Sequence, residues 1–183
     1  MSNKQLLSQG IIILMIVILG SCGSDTEQQP DEQDTAALRG EADRLTTIDE
    51  GLDGPEAIRY DPGLDVYFIS NFNGPSSEAD ANGYIARAQP DGAIDSLRFM
   101  TGTEEAPLHA PRGMYITGDT LYVADLEGVH GFNTQTGEHL SFADFTDFEP
   151  GFLNDVAVGP NGMVYVTDTG QSRIYMIYLN CLF

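Results

Sequence analysis

The chain has 183 residues, 28 of them acidic and 8 basic, for a formal net charge of −20. A surface that negative repels polynucleotides and anionic lipid headgroups, which excludes nucleic-acid partners. At 42% hydrophobic residues the chain can build one cored domain with appendages. Its two cysteines, Cys22 and Cys181, make no disulfide framework, and it contains no Cys-x-x-Cys or His-x-x-x-His spacing.

Residues 1–21 read as a targeting segment. Lys4 gives a weakly positive start, and Ile11 to Leu19 is an unbroken apolar run. That is the length of a signal-peptide core and too short to span a bilayer. The run ends in Leu19-Gly20-Ser21-Cys22, which resembles the lipobox of bacterial lipoproteins. The resemblance implies cleavage before Cys22, lipid on Cys22 and a place in the bacterial cell envelope, on its periplasmic or extracellular side. Residues 22–43 are rich in Ser, Asp, Glu and Gln and poor in apolar residues. They are expected to be a disordered acidic tether that holds the domain off the membrane.

From about Arg44 to the end, short β-rich segments alternate with Gly, Pro, Asp and Asn, and no amphipathic stretch of helical period competes. The same strand–turn–strand text occurs three times, starting at Glu56, Pro111 and Asn154. It runs Glu56–Tyr60 to Val66–Ser70, Pro111–Tyr115 to Leu121–Asp125, and Leu153–Val158 to Met163–Val166. Aligned without gaps, the copies make Tyr67, Tyr122 and Tyr165 equivalent. The Asn161-Gly162 pair is expected to supply the positive φ values of a tight hairpin. Copies one and two continue through Gly83–Arg87 and Gly128–Phe132 to outer strands at Ser96–Met100 and His139–Phe142. The third copy continues into a strand at Arg173–Ile177.

Four short strands in about 40–45 residues is the period of a propeller blade. The expected fold is therefore all-β: a β-propeller with about three four-stranded blades, near residues 55–100, 111–143 and 153–178, of a probable six. A closed propeller has 4–8 blades. The third copy gives way to Tyr178-Leu179-Asn180-Cys181-Leu182-Phe183 where the others have a polar hairpin, which reads as a truncated propeller. Such a chain leaves an open blade edge and an unburied blade face, and self-association is expected there.

Glu56 and Asn154 hold the same position in copies one and three, at the start of the innermost strand. A carboxylate and an amide oxygen converging on the channel axis suit a hard cation such as Ca²⁺; the plainer alternative is a loop-end acid and a turn amide. Arg112, placed at the start of an inner strand, either faces the channel to bind a sugar hydroxyl or carboxylate, or pairs with the acidic surface. Glu78-Ala79-Asp80-Ala81-Asn82-Gly83 opens like a calcium loop but has Gln89 where a bidentate glutamate belongs, so a polar insertion is expected. His109, His130 and His139 share no ligand or nucleophile spacing. Asp125 and Asp168 end second strands and are expected to cap turns.

Pro55-Glu56-Ala57, Ala110-Pro111-Arg112-Gly113-Met114, Leu153-Asn154-Asp155-Val156 and Asp168-Thr169-Gly170-Gln171-Ser172-Arg173-Ile174-Tyr175 together resemble the senescence-marker-protein/gluconolactonase (regucalcin-like) family. That family consists of six-bladed propellers, many of them divalent-metal-dependent lactonases. The resemblance implies that Glu56 and Asn154 are metal ligands. The family's further aspartate, credited also as general base, has no counterpart in these 183 residues. Two functions are therefore carried forward. One is a lipid-anchored propeller of the sugar-lactone-hydrolase type, incomplete as this chain. The other is a non-catalytic propeller binding a small ligand or a partner protein at the cell envelope.

Overall fold

A computed structural model describes residues 47–178. The leader, the tether, Cys22 and Cys181 lie outside the described residues. Those residues form eleven strands and one 3₁₀ turn at Thr146–Phe148. The strands make three antiparallel sheets. Sheet one is β1 (Pro55–Asp61), β2 (Val66–Asn71), β3 (Tyr84–Ala88) and β4 (Ile94–Met100). Sheet two is β5 (Met114–Thr117), β6 (Thr120–Ala124), β7 (Gly128–Asn133) and β8 (His139–Asp144). Sheet three is β9 (Leu153–Val158), β10 (Val164–Asp168) and β11 (Arg173–Ile177). Each is a meander in sequence order, the pairing that short turns between neighbouring strands permit. No helix among the described residues is long and apolar enough to cross a membrane.

The sheets stack face to face in a propeller-like succession. Val66, Phe68, Ile85 and Met100 of sheet one pack against Met114, Leu121, Val123 and Phe132 of sheet two. Ala124 and Val129 of sheet two, with Tyr122 beside them, pack against Leu153, Val156, Val164 and Val166 of sheet three. Each Val, Leu, Ile, Phe or Met side chain among them contributes about 1.5–3 kcal/mol when fully buried. The alternation of strand side chains gives sheet two one face toward sheet one and the other toward sheet three. The first strands β1, β5 and β9 lie side by side as an inner row.

The register differs from a gapless alignment of the three copies. Tyr67 belongs to a cluster with Ile69, Tyr84, Ala86 and Ala88 on the face of sheet one turned away from sheet two. Tyr122 faces the other way, toward sheet three. The structural equivalent of Tyr122 and Tyr165 is Phe68, and the equivalent of Glu56 and Asn154 is Arg112, not Pro111. The cause is turn length. Six, four and five residues separate the equivalent pairs Tyr60↔Tyr67, Ile116↔Leu121 and Val158↔Val164. Since a one-residue slip moves a strand's side chains to the opposite face, the gapless reading put Tyr67 on the wrong side. In the third turn only Gly162 has positive φ, at 78°. Asn161 instead uses its side chain, accepting the Met163 N–H at 3.3 Å.

One device repeats at the end of each second strand. Asp125 accepts the N–H groups of His109 (2.9 Å) and Ala110 (2.6 Å). Asp168 accepts those of Gly151 (3.1 Å) and Phe152 (2.9 Å). Asn71 accepts that of Asp53 (3.2 Å). In each sheet a buried side chain thus clasps the segment that leads into its own inner strand. Asp168 also caps its turn, through the Gln171 N–H at 3.0 Å. The turn-capping expectation holds for that residue; tying down the lead-in segment was not anticipated for either aspartate.

Candidate functional site

The three inner strands begin with the same irregularity. In sheet one the pairing Ile58↔Ile69 shifts by one residue before Pro55↔Asn71. In sheet three Val156↔Val166 shifts likewise before Leu153↔Asp168. In sheet two Ala124 accepts from the Arg112 N–H at 2.8 Å and donates to the Gly113 carbonyl at 3.0 Å. Each is a bulge in which two residues oppose one: Glu56-Ala57, Arg112-Gly113 and Asn154-Asp155. A bulge leaves a backbone group unpaired and re-aims side chains. The loose N–H groups are all satisfied. Ala57 donates to Ser70 Oγ and Asp155 to Thr167 Oγ1, both at 3.0 Å, while Gly113 donates across the sheets to the Asn154 carbonyl at 2.8 Å.

The bulges bring Glu56 and Asn154 to one open cavity of about 400 Å³, lined also by Ala57, Arg59, Gly113 and Asp155. Arg59 spans the inner row. Its Nε donates to the Met114 carbonyl at 2.6 Å and its NH2 lies 3.4 Å from Asp155 Oδ1. Burial holds the Glu56 carboxyl above its ordinary pKa; Arg112 and Arg59 pull it down and Asp155 pushes it up. Arg59 and Asp155 are the cavity residues that sequence reading missed. Asp155 sat within a quoted motif, next to Asn154, but nothing in the spacing shows that the bulge turns it to the same opening.

Arg112 does not begin a strand, since β5 starts at Met114. Nor does it present its guanidinium to solvent, for the side chain has no exposed surface. NH1 donates to the Leu153 carbonyl at 3.2 Å and NH2 to the Ser76 carbonyl. The guanidinium stacks 4.0 Å above the Phe152 ring. Nε has no hydrogen-bond partner among the described residues. Burial lowers its pKa, opposed by the fields of Asp125 and Glu56. A planar, permanently charged fork suits this bridging of carbonyls and a ring. Arg112 therefore ties the insertion of sheet one to the lead-in of sheet three while facing Glu56 electrostatically.

Glu56, Asn154 and Asp155 offer oxygen donors of the kind a hard cation takes. Asp155 is partly engaged, by Arg59 and by the Val156 N–H at 2.9 Å. Among the described residues no three His, Cys, Asp or Glu side chains converge as a metal cluster. Glu56 and Asn154 share the lining of the one cavity, each as an oxygen-bearing residue. The loop from Glu78 to Gly83 is tied internally instead. Asp80 accepts from the Asn82 N–H at 3.3 Å and from its side-chain amide at 2.7 Å, as a polar insertion does.

A second group was invisible to spacing. His130 Nδ1 and His139 Nε2 lie 3.0 Å apart, and His130 Nε2 lies 3.6 Å from Asp125 Oδ2. Asp125 and His130 are fully buried. The β7–β8 pairing of His130 with Phe142 and Phe132 with His139 makes the two imidazoles diagonal neighbours. That signal was available once the hairpin register was assigned.

Neither a protein-family model nor a curated protein matches the sequence. Among solved structures, a gluconolactonase from Xanthomonas campestris superposes at a TM-score of 0.49 with 20% identity, over 68% of this chain. The computationally designed Ika4 protein superposes at 0.45 with 8% identity, over 69% of this chain. The matches span 37% of the gluconolactonase and 66% of the designed protein. Both scores lie under one half, and the fold rests on the sheet order and packing described above.

Proposed function

We propose that this chain forms part of a propeller of the sugar-lactone-hydrolase type, with a divalent cation, Ca²⁺ by its oxygen donors, held at Glu56 and Asn154. One observation carries the reading: two residues from equivalent bulges of separate sheets line a single cavity. The motif resemblance supplies the reaction class. A bound cation would polarise a lactone carbonyl as a Lewis acid. Around it, the Asn154 bulge is fixed by the Gly113 N–H and by Thr167, and Arg59 holds Asp155 to one side of the opening. Arg112 supplies fixed positive charge near Glu56, which opposes but does not outweigh the rise that burial imposes on that carboxyl's pKa. No general base is assigned among the described residues, so turnover is expected to be absent or weak in this chain. By the same proposal the domain is exported and anchored to the cell envelope through lipid on Cys22.

A binding module without catalysis is the second reading. The burial of Arg112 favours it, because the side chain expected to meet a sugar is instead committed to backbone carbonyls. Calorimetric titration with Ca²⁺ tests the shared premise. Glu56→Gln and Asn154→Ala are expected to weaken binding at least tenfold each, about 1.4 kcal/mol. Equal affinity in all three proteins removes the site. Release of acid from a sugar lactone, measured at saturating Ca²⁺, then separates hydrolase from binder.

A further inference from the structure

His130 and His139 stand nine residues apart in sequence, yet the β7–β8 hairpin sets them ring to ring. His130 Nδ1 faces His139 Nε2 at 3.0 Å. Two nitrogens bound about 2.0–2.1 Å from one tetrahedral zinc stand about 3.3 Å apart, so a shift of a few tenths of an ångström lets both face a single ion. His139 can supply that shift. It lies on the outer strand β8 and is part exposed, whereas His130 has no exposed surface. Phe142 and Phe132 wall the pair, with centroids 4.5 Å from the His130 ring and 5.1 Å from the His139 ring respectively.

The far nitrogen of His130 is a second, separate observation. Nε2 is buried and has no hydrogen-bond partner among the described residues. The carboxylate of Asp125, itself without exposed surface, lies 3.6 Å from it. Both Asp125 oxygens already accept backbone N–H groups, Oδ1 from Ala110 and Oδ2 from His109. Asp125 is thus fixed behind the ring, at the nitrogen turned away from His139. With the Nε2 proton directed at that carboxylate, His130 presents its Nδ1 lone pair to His139. A carboxylate behind a histidine orients a metal-ligating imidazole and raises its basicity. Electron density drawn through the ring by a cation leaves positive charge on Nε2–H, where Asp125 offsets it.

We propose that His130 and His139 form a site for an imidazole-seeking divalent transition metal, with Zn²⁺ as the type ion and Asp125 as the positioning carboxylate. Nitrogen donors select such ions over Ca²⁺, which takes oxygens. Two protein donors leave the other positions to water, consistent with the absence of a three-residue cluster among the described residues. The ion joins the two outermost strands of sheet two, and it stabilises the folded chain by mass action. This site stands apart from the cation at Glu56.

Zn²⁺ titrated into the full chain near pH 7.5, above the ordinary imidazole pKa of about 6.5, tests the site. Ca²⁺ in excess keeps oxygen sites out of competition. A coloured chelator reports the affinity, and histidine-ring ¹H–¹⁵N spectra report the residues. The ring signals of His130 and His139 are expected to move together, with those of His109 unmoved. His139→Gln is expected to weaken Zn²⁺ at least tenfold and to lose the Zn²⁺-dependent rise in melting temperature. Asp125→Asn is expected to weaken it about 10–100-fold. Should that variant fail to fold, His139→Gln and the ring spectra decide. Wild-type affinity in either folded variant overturns the proposal. So does a response of His139 without His130, which would be adventitious binding at the surface.

Discussion

The Gly113 N–H donates to the Asn154 carbonyl at 2.8 Å, joining the inner strands of sheets two and three at their bulges. The approach is close enough that position 113 has no room for a side chain. A Cβ there would lie 2.6 Å from Asp155 Cα and 2.7 Å from the Asn154 carbonyl oxygen. Both are backbone atoms and neither can rotate away.

Gly113→Ala is therefore expected to push sheets two and three apart at the cavity. Overpacking of this kind costs about 1–3 kcal/mol. The check is thermal unfolding together with Ca²⁺ affinity, and both are expected to fall. An unchanged melting temperature would mean that the inner strands do not approach as described.

Asp125 holds two lead-in N–H groups and faces His130. Burial by itself would raise its pKa; the His130 ring and the His109 N–H reverse this and keep it below the ordinary carboxylate value. Asp168 is held low in the same manner, burial being outweighed by the N–H groups of Phe152, Gly151 and Gln171. A carboxyl with a depressed folded-state pKa contributes stability that is present above its unfolded pKa and lost as pH falls through the folded one. Acid unfolding is thus expected to begin below about pH 4, and Asp125→Asn should flatten that limb. Asp125→Ala strands the His109 and Ala110 N–H groups and is expected to cost about 1–3 kcal/mol for each buried donor left unpaired.

His139 responds to pH in a separate window. Burial, and then the field of His130, hold its pKa below the ordinary imidazole value. The folded state therefore takes up the proton less readily than the unfolded one. Its contribution to stability is complete above the unfolded pKa and declines as pH falls through the folded value. Denaturant unfolding between about pH 7 and pH 5 is expected to show this decline in the wild type and to lose it in His139→Gln.

Glu56 behaves oppositely. Burial, with Asp155 adding to it, raises its folded-state pKa, so its share of stability is full below the unfolded pKa and falls as pH rises through the folded one. A cation at Glu56 must displace that proton. Ca²⁺ affinity is expected to drop as pH falls through the raised Glu56 pKa, with proton release on binding in the same range. Ion-pair and hydrogen-bond effects elsewhere would not follow Glu56→Gln, which should abolish the release.

With a net charge of −20, the folded surface repels itself. Added salt screens that repulsion, the Debye length falling from about 10 Å at 0.1 M to 3 Å at 1 M. The melting temperature is expected to rise between these concentrations in NaCl, and one indifferent to salt would show that the acids are spread too thinly to matter.

Local periodicity and turn residues determined the strands. Val66-Tyr67-Phe68-Ile69, Leu121-Tyr122-Val123 and Val164-Tyr165-Val166 read as strands because short runs of β-branched and aromatic residues bounded by turn residues are properties of neighbouring residues. The recurrence of that text determined the three-sheet plan, and the position shared by Glu56 and Asn154 survived into the folded cavity. Tertiary structure decided which face each strand presents. Turns of six, four and five residues shifted the first and second copies by a residue each, in opposite directions, against the third, and a gapless alignment does not see differences in turn length. It also decided that Arg112 lies buried across three segments, that Arg59 and Asp155 join the cavity, and that His130 meets His139. Those relationships are set by distances between strands remote in sequence, which a one-dimensional pattern does not encode.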